Sequence, residues 1–274
     1  MRKSWEMLEI SGELDYAQML LAHIEDFVLG SAVDDDMMKV YMSKGKKNKI
    51  KAVIDNLAFK RDLALSWKDI ENEDWHLMWK ENFTPVQIRN RIEILPDWSF
   101  KNESCENKVF IRPGMSFGTG HHETTSLMVE TLVDYSENSY SLLDLGSGSG
   151  ILSIAGYKLG YKNIHAVEFD LDCEDDFKFN TNLNGCSENI KISWSDVLEW
   201  NDFNFDIVLA NIEKNIIKKI IYNISDTRAR FIFSGLLKED KSEMEDILIA
   251  NKFSINKIAS KNDWITIDCK KNEN

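Results

Sequence analysis

The chain has 274 residues, of which 43% are hydrophobic and 29% are charged, a composition typical of a globular protein with one or two domains. Its formal net charge of −13 argues against a nucleic-acid-binding protein, and it is compatible with a small-molecule substrate, with a basic protein partner or with a role in solubility alone. No apolar run is long enough to span a membrane, no signal peptide is expected, and four scattered cysteines predict neither disulfides nor a metal site, so we expect a cytoplasmic protein.

The first third of the sequence predicts a small α/β unit. The alternating segment SWEMLEI predicts a strand, and apolar residues then recur at helical spacing over residues 14–28. Two short strands around Ala32 and at MMKVYM, a second helix at residues 50–57 and a strand at LALSWKDI follow. The order β-α-β-β-α-β predicts a ferredoxin-like α+β domain.

Residues 69–108 show no clear hydrophobic periodicity. They mix aromatic and charged residues, and the segment LPDWSFKNESCENK has the composition of a connector. We therefore predict a domain boundary near residue 95, with the ferredoxin-like domain and its connector at residues 1–95 and a second domain at residues 96–274.

From Val109 onward, strands alternate with amphipathic helices. Near-continuous apolar strands are predicted at SLLDL, NIHAVEF, IKISW, FDIVLAN and RFIFSG, and the clearest helix lies between the last two. This order predicts a parallel sheet covered on both faces. The last two strands, FSINKIAS and DWITIDC, are joined by a short turn and should pair antiparallel. A mostly parallel α/β sheet that ends in an antiparallel hairpin is typical of the Rossmann-like class I methyltransferase fold.

The segment DLGSGSG forms a glycine-rich turn after the first of these strands. Its glycines, Gly146, Gly148 and Gly150, match neither the G-x-G-x-x-G pattern of dinucleotide sites, whose last glycine would replace Ile151, nor a P-loop. Glycines here let the backbone pass close to a flat or bulky ligand. Asp144 would repel a phosphate but suits a cation such as a sulfonium or an α-ammonium; alternatively, it only caps the turn.

Polar residues also lie at the ends of the following strands. Glu168, with Asp170 as its rival, could accept hydrogen bonds from both hydroxyls of a ribose, or it is a solvated strand-end acid. Asp196 follows the third strand and could face an adenine amine. Asn211 ends the fourth strand, where ligands of open α/β sheets bind, and could accept a hydrogen bond from an incoming amine; alternatively, it caps the next helix.

Four motifs together resemble one family. FGTGHHETT, DLGSGSGILSIAGYKLG, AVEFD and ANI have the order and spacing of the PrmA family, the methyltransferases of ribosomal protein eleven of the large subunit. The resemblance covers the chain from about residue 75. The family loop F-G-T-G-x-H-x-T-T is matched by Phe117, Gly118, Thr119, Gly120, His122, Thr124 and Thr125.

The resemblance implies transfer of methyl groups from S-adenosyl-L-methionine to lysine side chains and the N-terminal amine of one basic ribosomal protein, which the N-terminal domain recognises. It places Asn211, Thr119 and His122 at the chemistry, with His122 acting as a base or, alternatively, pinning the loop. The residues that would bind the cofactor are Phe117, Thr119, Gly120, Thr124, Asp144, Gly146, Gly148, Glu168, Asp196 and Asn211.

Three positions depart from the family pattern. Glu123 replaces a proline, Glu168 replaces an aspartate, and Glu213 replaces a leucine close to where the substrate enters. A methyltransferase of the same fold with another protein or small-molecule substrate, a catalytically silent cofactor-binding module and an oxidoreductase are therefore alternatives. We expect a monomer that binds no nucleic acid directly, and a hinge at residues 95–108 that would let one catalytic domain reach several amines.

Overall fold

The computed structural model describes most of the chain, namely residues 5–24, 27–28, 30–34, 37–55, 57, 63–70, 85–100, 107–112, 123–137, 140–225 and 227–272. The chain divides into two compact units, Met1–Phe83 and Thr84–Asn274. No helix in the described ranges is long and apolar enough to cross a lipid bilayer.

The first unit has the element order that the sequence predicts. Its elements are β1 (Trp5–Gly12), α1 (Leu14–Ile24), β2 (Gly30–Asp34), β3 (Met37–Ser43), α2 (Lys47–Asp55) and β4 (Leu63–Ile70). The four strands form an antiparallel sheet in the order β2-β3-β1-β4, which is the order of a ferredoxin-like unit. Leu8, Leu20 and Ile50 bring the apolar stripes of both helices and the central strand into one core.

The second unit is built on a larger, mostly parallel sheet. Its strands are β5 (Val86–Ile88), β6 (Ile92–Pro96), β7 (Lys108–Ile111), β8 (Ser141–Leu145), β9 (Asn163–Glu168), β10 (Ile190–Trp194), β11 (Ile207–Asn211), β12 (Arg230–Leu237), β13 (Phe253–Lys261) and β14 (Trp264–Lys271). Its helices are α3 (Glu123–Tyr135), α4 (Ile151–Lys158), α5 (Glu174–Leu183), α6 (Lys214–Asn223) and α7 (Lys241–Ala250).

Seven of these strands form the central sheet, in the order β10-β9-β8-β11-β12-β14-β13. Neighbours from β10 to β12 are parallel, whereas β14 runs antiparallel to both β12 and β13. The predicted class I fold with its C-terminal antiparallel hairpin is confirmed. Leu142 and Leu143, successive residues of β8, are both fully buried in cores on opposite faces, which explains why the strand reads as a continuous apolar run.

A second, three-stranded sheet of β5, β6 and β7 has no counterpart in the sequence prediction. β6 pairs antiparallel with β5 and parallel with β7, so the second unit begins before the boundary predicted near residue 95. The hinge predicted at residues 95–108 runs from the end of β6 to the start of β7, and its residues 101–106 lie outside the described residues.

Candidate functional site

The glycine-rich turn begins where β8 ends, at the carboxyl edge of the central sheet. Gly146, Gly148 and Gly150 have φ angles of 73°, 51° and 82°, a left-handed conformation that side-chain-bearing residues rarely adopt. The amides of Gly146 and Ser147 donate to the carbonyl of Val167 at 2.8 and 3.1 Å, which ties the turn to the end of β9. The strand-turn-helix context predicted for this segment is therefore present.

Two glycines allow the backbone after β11 to pass very close to its neighbours. A Cβ atom on Gly146 would lie 2.3 Å from Cγ2 of Ile212, and one on Gly235 would lie 2.4 Å from the carbonyl oxygen of Ile212. Gly235 also has a φ of 82°. The segments that follow β8 and β11 are thus in direct contact with each other, and the second of them also contacts Gly235 within β12, so Gly146 is needed for packing as well as for its turn.

Glu168 is the buried acid at the end of β9. It is only 9% exposed, and its carboxylate accepts hydrogen bonds from the amides of Gly148, Phe169 and Asp170, each at 2.8 Å. The solvated alternative is wrong, because the carboxylate joins the glycine-rich turn to the end of β9. Its rival, Asp170, is exposed and accepts from the amide of Asp172 at 2.9 Å, as a local turn cap does.

Asp144 is fully buried, and only one of its two carboxylate oxygens forms hydrogen bonds with the first turn of α4. Oδ2 accepts from the hydroxyl and the amide of Ser153 at 2.7 and 3.1 Å, while Oδ1 has no partner. Burial raises the pKa of Asp144 to about 6; the hydrogen bonds from Ser153 oppose this rise, and the charge of Glu168 adds to it. The capping alternative accounts for Oδ2 but leaves Oδ1 without a role.

Asn211 and Asp196 lie where the sequence places them. Asn211 is the last residue of β11 and is 7% exposed, and the N-cap position of α6 is Glu213, so the alternative that Asn211 caps this helix is wrong. Asp196 is half-buried beyond β10, and its Oδ1 accepts from the amide of Leu198 at 2.9 Å. The amide of Ser195 donates to the carbonyl of Glu168, so this turn lies beside the end of β9.

Helix α3 begins at the same edge. Thr124 and Thr125, in its first turn, are fully buried. Phe117, Thr119, Gly120 and His122 belong to the segment before this helix and lie outside the described residues.

Two asparagines that the sequence analysis missed, one in α5 and one directly after it, connect the glycine-rich turn to β7. Asn180 donates from Nδ2 to the carbonyl of Ser149 and accepts at Oδ1 from the amide of Arg112, both at 2.9 Å. Asn184 binds both the amide and the carbonyl of Phe110. Both asparagines are buried, and their spacing of four residues on one helix face was the available signal.

Unsatisfied hydrogen-bonding atoms concentrate at this edge. Within the described ranges, the buried side-chain oxygens without a hydrogen-bond partner are Thr125 Oγ1, Asp144 Oδ1, Ser147 Oγ and Asn211 Oδ1. They belong to the first turn of α3, to β8 and its glycine-rich turn, and to the last residue of β11. Since buried polar atoms are nearly always paired, these oxygens indicate a ligand that donates hydrogen bonds here.

The residues present fit S-adenosyl-L-methionine. Asp144 and Glu168 are buried carboxylates close enough for the charge of one to shift the pKa of the other, so an additional anion such as a pyrophosphate would be repelled. A ligand with a sulfonium, an α-ammonium and ribose hydroxyls offers positive charge and hydrogen-bond donors to these two carboxylates.

Known proteins give an independent comparison. A relative from Exiguobacterium sp. named "Ribosomal protein L11 methyltransferase" is 34% identical over 207 residues, which are 74% of this chain and just under two thirds, 66%, of that relative. A relative of the same name from Bacillus licheniformis is 32% identical over 231 residues, 81% of this chain and 74% of the relative. The crystal structure of the ribosomal protein L11 methylase from Lactobacillus delbrueckii subsp. bulgaricus superposes with a TM-score of 0.61 at 25% identity, over 70% of this chain and all of that one.

The family match extends beyond the loop and strand-end motifs that first indicated it. The family "Ribosomal protein L11 methyltransferase (PrmA)" matches residues 19–272, which takes in most of the first unit and nearly all of the second. The resemblance expected from the motifs is confirmed: this chain belongs to the PrmA family of ribosomal protein L11 methyltransferases.

Proposed function

We propose that this protein transfers methyl groups from S-adenosyl-L-methionine to amines of ribosomal protein L11, namely lysine side chains, the N-terminal amine or both. The observation that carries the proposal is the buried, unpartnered amide oxygen of Asn211, next to the turn held by Asp144 and Glu168. The proposal is also supported by the family to which the chain belongs, because members of this family are named as methyltransferases of ribosomal protein L11.

The cofactor, when bound, supplies an electrophilic methyl group on a sulfonium. Glu168 would accept from the ribose hydroxyls, Oδ1 of Asp144 from the α-ammonium, and Asp196 from the adenine amine; the burial of both Asp144 and Glu168 and the unpartnered Oδ1 support this proposal. The glycines at 146 and 148 let the backbone approach the ligand closely. Further proposed contacts come from the first turn of α3 and the segment before it, at Phe117, Thr119, Gly120 and Thr124.

Asn211 would orient the amine that receives the methyl group. A lysine has a reference pKa near 10.4, so its loss of a proton at pH 7 costs about 4 to 5 kcal/mol. An amide oxygen that accepts one N–H of the neutral amine fixes the direction of the nitrogen lone pair. Because correct positioning of two reactants is worth about 7 to 11 kcal/mol, it outweighs the gain from a general base. We therefore propose that His122 pins the loop before α3 instead of acting as a base. Thr119 is proposed to lie at the reaction centre together with Asn211.

The first unit is proposed to recognise the protein substrate, and the second to carry the chemistry, with a boundary at or before residue 95. The proposed compartment is the cytoplasm, where ribosomal proteins are made. Cys186 and Cys269 are buried thiols outside any disulfide, which agrees with a reducing compartment.

The test is transfer of a radiolabelled methyl group to purified ribosomal subunit proteins. Label on L11 alone is the expected result. Label on other proteins would favour a different substrate, binding of S-adenosylhomocysteine without any label would favour a silent module, and binding of a dinucleotide instead would favour an oxidoreductase.

A variant locates the reaction at the proposed site. In Asn211→Ala we expect kcat to fall by about two orders of magnitude, with the Kd for S-adenosylhomocysteine changed by less than about threefold, because the lost amide acts on the amine. Asn182→Ala, the same substitution on the exposed face of α5, is the matched control and should keep full activity. Unchanged kcat in the Asn211 variant would rule out this assignment.

A further inference from the structure

Glu213 is an exposed acid beside the reaction centre. It lies two residues after Asn211, and Ile212 between them is held by its close contacts with Gly146 and Gly235. Glu213 is therefore held at the carboxyl edge of the sheet, next to the residue proposed to orient the amine. Its Oε1 accepts one hydrogen bond, from Nδ2 of Asn215 at 3.1 Å.

The charge of Glu213 is not neutralised by its neighbours. Lys214 is bound to Asp240 at 2.6 Å and to Glu243 at 3.1 Å, and Lys218 is bound to Glu243. Among the described residues, no lysine or arginine pairs with Glu213, whose one hydrogen-bond partner is the uncharged Asn215. The carboxyl group of Glu213 therefore faces solvent at this edge without a cationic partner among the described residues.

The carboxylate of Glu213 contributes little to the stability of the fold. Glu213 occupies the N-cap position of α6, but its side chain accepts no backbone N–H there. The start of the helix is satisfied by the main chain, because the carbonyl of Glu213 accepts from the amides of Ile216 and Ile217 at 3.0 and 3.1 Å. An uncharged amide at this position would lose only a weak interaction with the helix dipole.

We propose that Glu213 is a specificity-determining residue that binds a cationic side chain of the substrate, a lysine or an arginine that neighbours the methylated amine. The methylated amine itself must lose its proton, and a carboxylate beside it would favour the protonated form, so the partner of Glu213 is a second basic group that stays protonated. The inference rests on the proposed function and narrows its substrate class to a segment with two adjacent basic groups.

The experiment measures binding of ribosomal protein L11 to the full chain loaded with S-adenosylhomocysteine, which permits no reaction. Glu213→Gln removes the charge and keeps a hydrogen-bond acceptor for Asn215. Glu188→Gln is the matched control, because Glu188 is an exposed acid just before β10, at the opposite edge of the sheet. We expect the Kd for L11 to rise about threefold to tenfold in the Glu213 variant at low salt and to match the wild type in the control. The difference should shrink at high salt.

Each other outcome is informative. An unchanged Kd in Glu213→Gln, an equal loss in Glu188→Gln, or a loss of S-adenosylhomocysteine affinity in Glu213→Gln would each overturn the inference. Binding of L11 that depends on Glu213 but leads to no methyl transfer by the wild type would contradict the proposed function and, with it, the placement of the bound cation next to a methylated amine. Normal methylation of L11 with a Kd insensitive to Glu213 would contradict the inference alone, and failure of the wild type to bind L11 would contradict both.

Discussion

Asp144 shows how one side chain can stabilise a helix and still keep an acceptor for a ligand. Its Oδ2 holds the first turn of α4 through Ser153, and its Oδ1 is buried without a partner. Burial makes ionisation unfavourable, so its pKa rises from 3.8 to about 6. The folded, ligand-free protein therefore carries a penalty at neutral pH that a cationic ligand would relieve.

This penalty gives a prediction for the pH dependence of stability. Between about pH 4 and pH 6 the folded state holds the proton of Asp144 and the unfolded state does not, so the free energy of unfolding falls as the pH rises through this range. The expected loss is about 3 kcal/mol, at about 1.36 kcal/mol per pKa unit. In Asp144→Asn this part of the slope should disappear. Urea denaturation of the ligand-free protein across this range measures it, and an identical slope in both proteins would contradict the assignment.

At the scale of elements, the C-terminal hairpin reaches the first turn of α3. Nζ of Lys261 donates to the hydroxyl of Ser126 at 3.0 Å, and Nδ2 of Asn262 donates to Oε1 of Glu123 at 2.8 Å. The next residue of the hairpin, Asp263, accepts at its carbonyl from the amide of Lys238 at 2.8 Å, which holds the tip from the β12 side as well. The hairpin thus helps to position the first turn of α3, which holds Thr124, one of the proposed cofactor contacts.

Removal of the Asn262 amide should therefore weaken cofactor binding. Asn262 has a φ of 48°, so Asn262→Gly removes the hydrogen bond to Glu123 without straining the turn. We expect the Kd for S-adenosylhomocysteine to rise about threefold to fivefold in calorimetry, the loss of about one hydrogen bond. The control is Lys252→Gly, which places glycine at another left-handed residue, φ 64°, at the opposite end of β13. Equal affinities in both variants would show that the hairpin tip plays no part.

The long periodic elements of this chain could be predicted from sequence, and the short ones could not. β8 and β11 read as apolar runs because they are buried on both faces, and α6 shows a clear apolar stripe at Ile217, Ile220 and Ile221. β5 has three residues and β7 four, too few for a period to appear. β7 is also held by contacts far apart in sequence, namely those of Asn184 with Phe110.

Strand-end positions also predicted much of the candidate site, because the carboxyl ends of parallel strands share one edge. Glu168 and Asn211 lie where this rule puts them. The contact of Ile212 with Gly146 and Gly235 could not be predicted, since it joins two turns and strand β12, which are far apart in the sequence and meet only in the folded chain.

For the whole molecule, the net charge of −13 predicts how a basic substrate arrives. Attraction between an acidic protein and a basic ribosomal protein accelerates their encounter and is screened by salt. We expect the association rate constant for L11 to fall at least about tenfold between about 0.05 and 0.5 M NaCl, with a smaller change in the dissociation rate. Stopped-flow fluorescence measures both rates, and S-adenosylhomocysteine serves as a ligand whose binding should depend little on salt. Salt-independent association of L11 would show that the acidic surplus does not guide this partner.

The passage of Ile212 between Gly146 and Gly235 has a consequence for redesign of the enzyme. Synthetic sulfonium donors with larger alkyl groups need extra volume near the transferred carbon. A Cβ atom on Gly146 or Gly235 would lie 2.3 or 2.4 Å from an atom of Ile212, so any larger residue at either glycine would push the segment after β11 out of place. A library that aims to accept bulkier donors should therefore vary the residues before α3 and leave Gly146 and Gly235 unchanged.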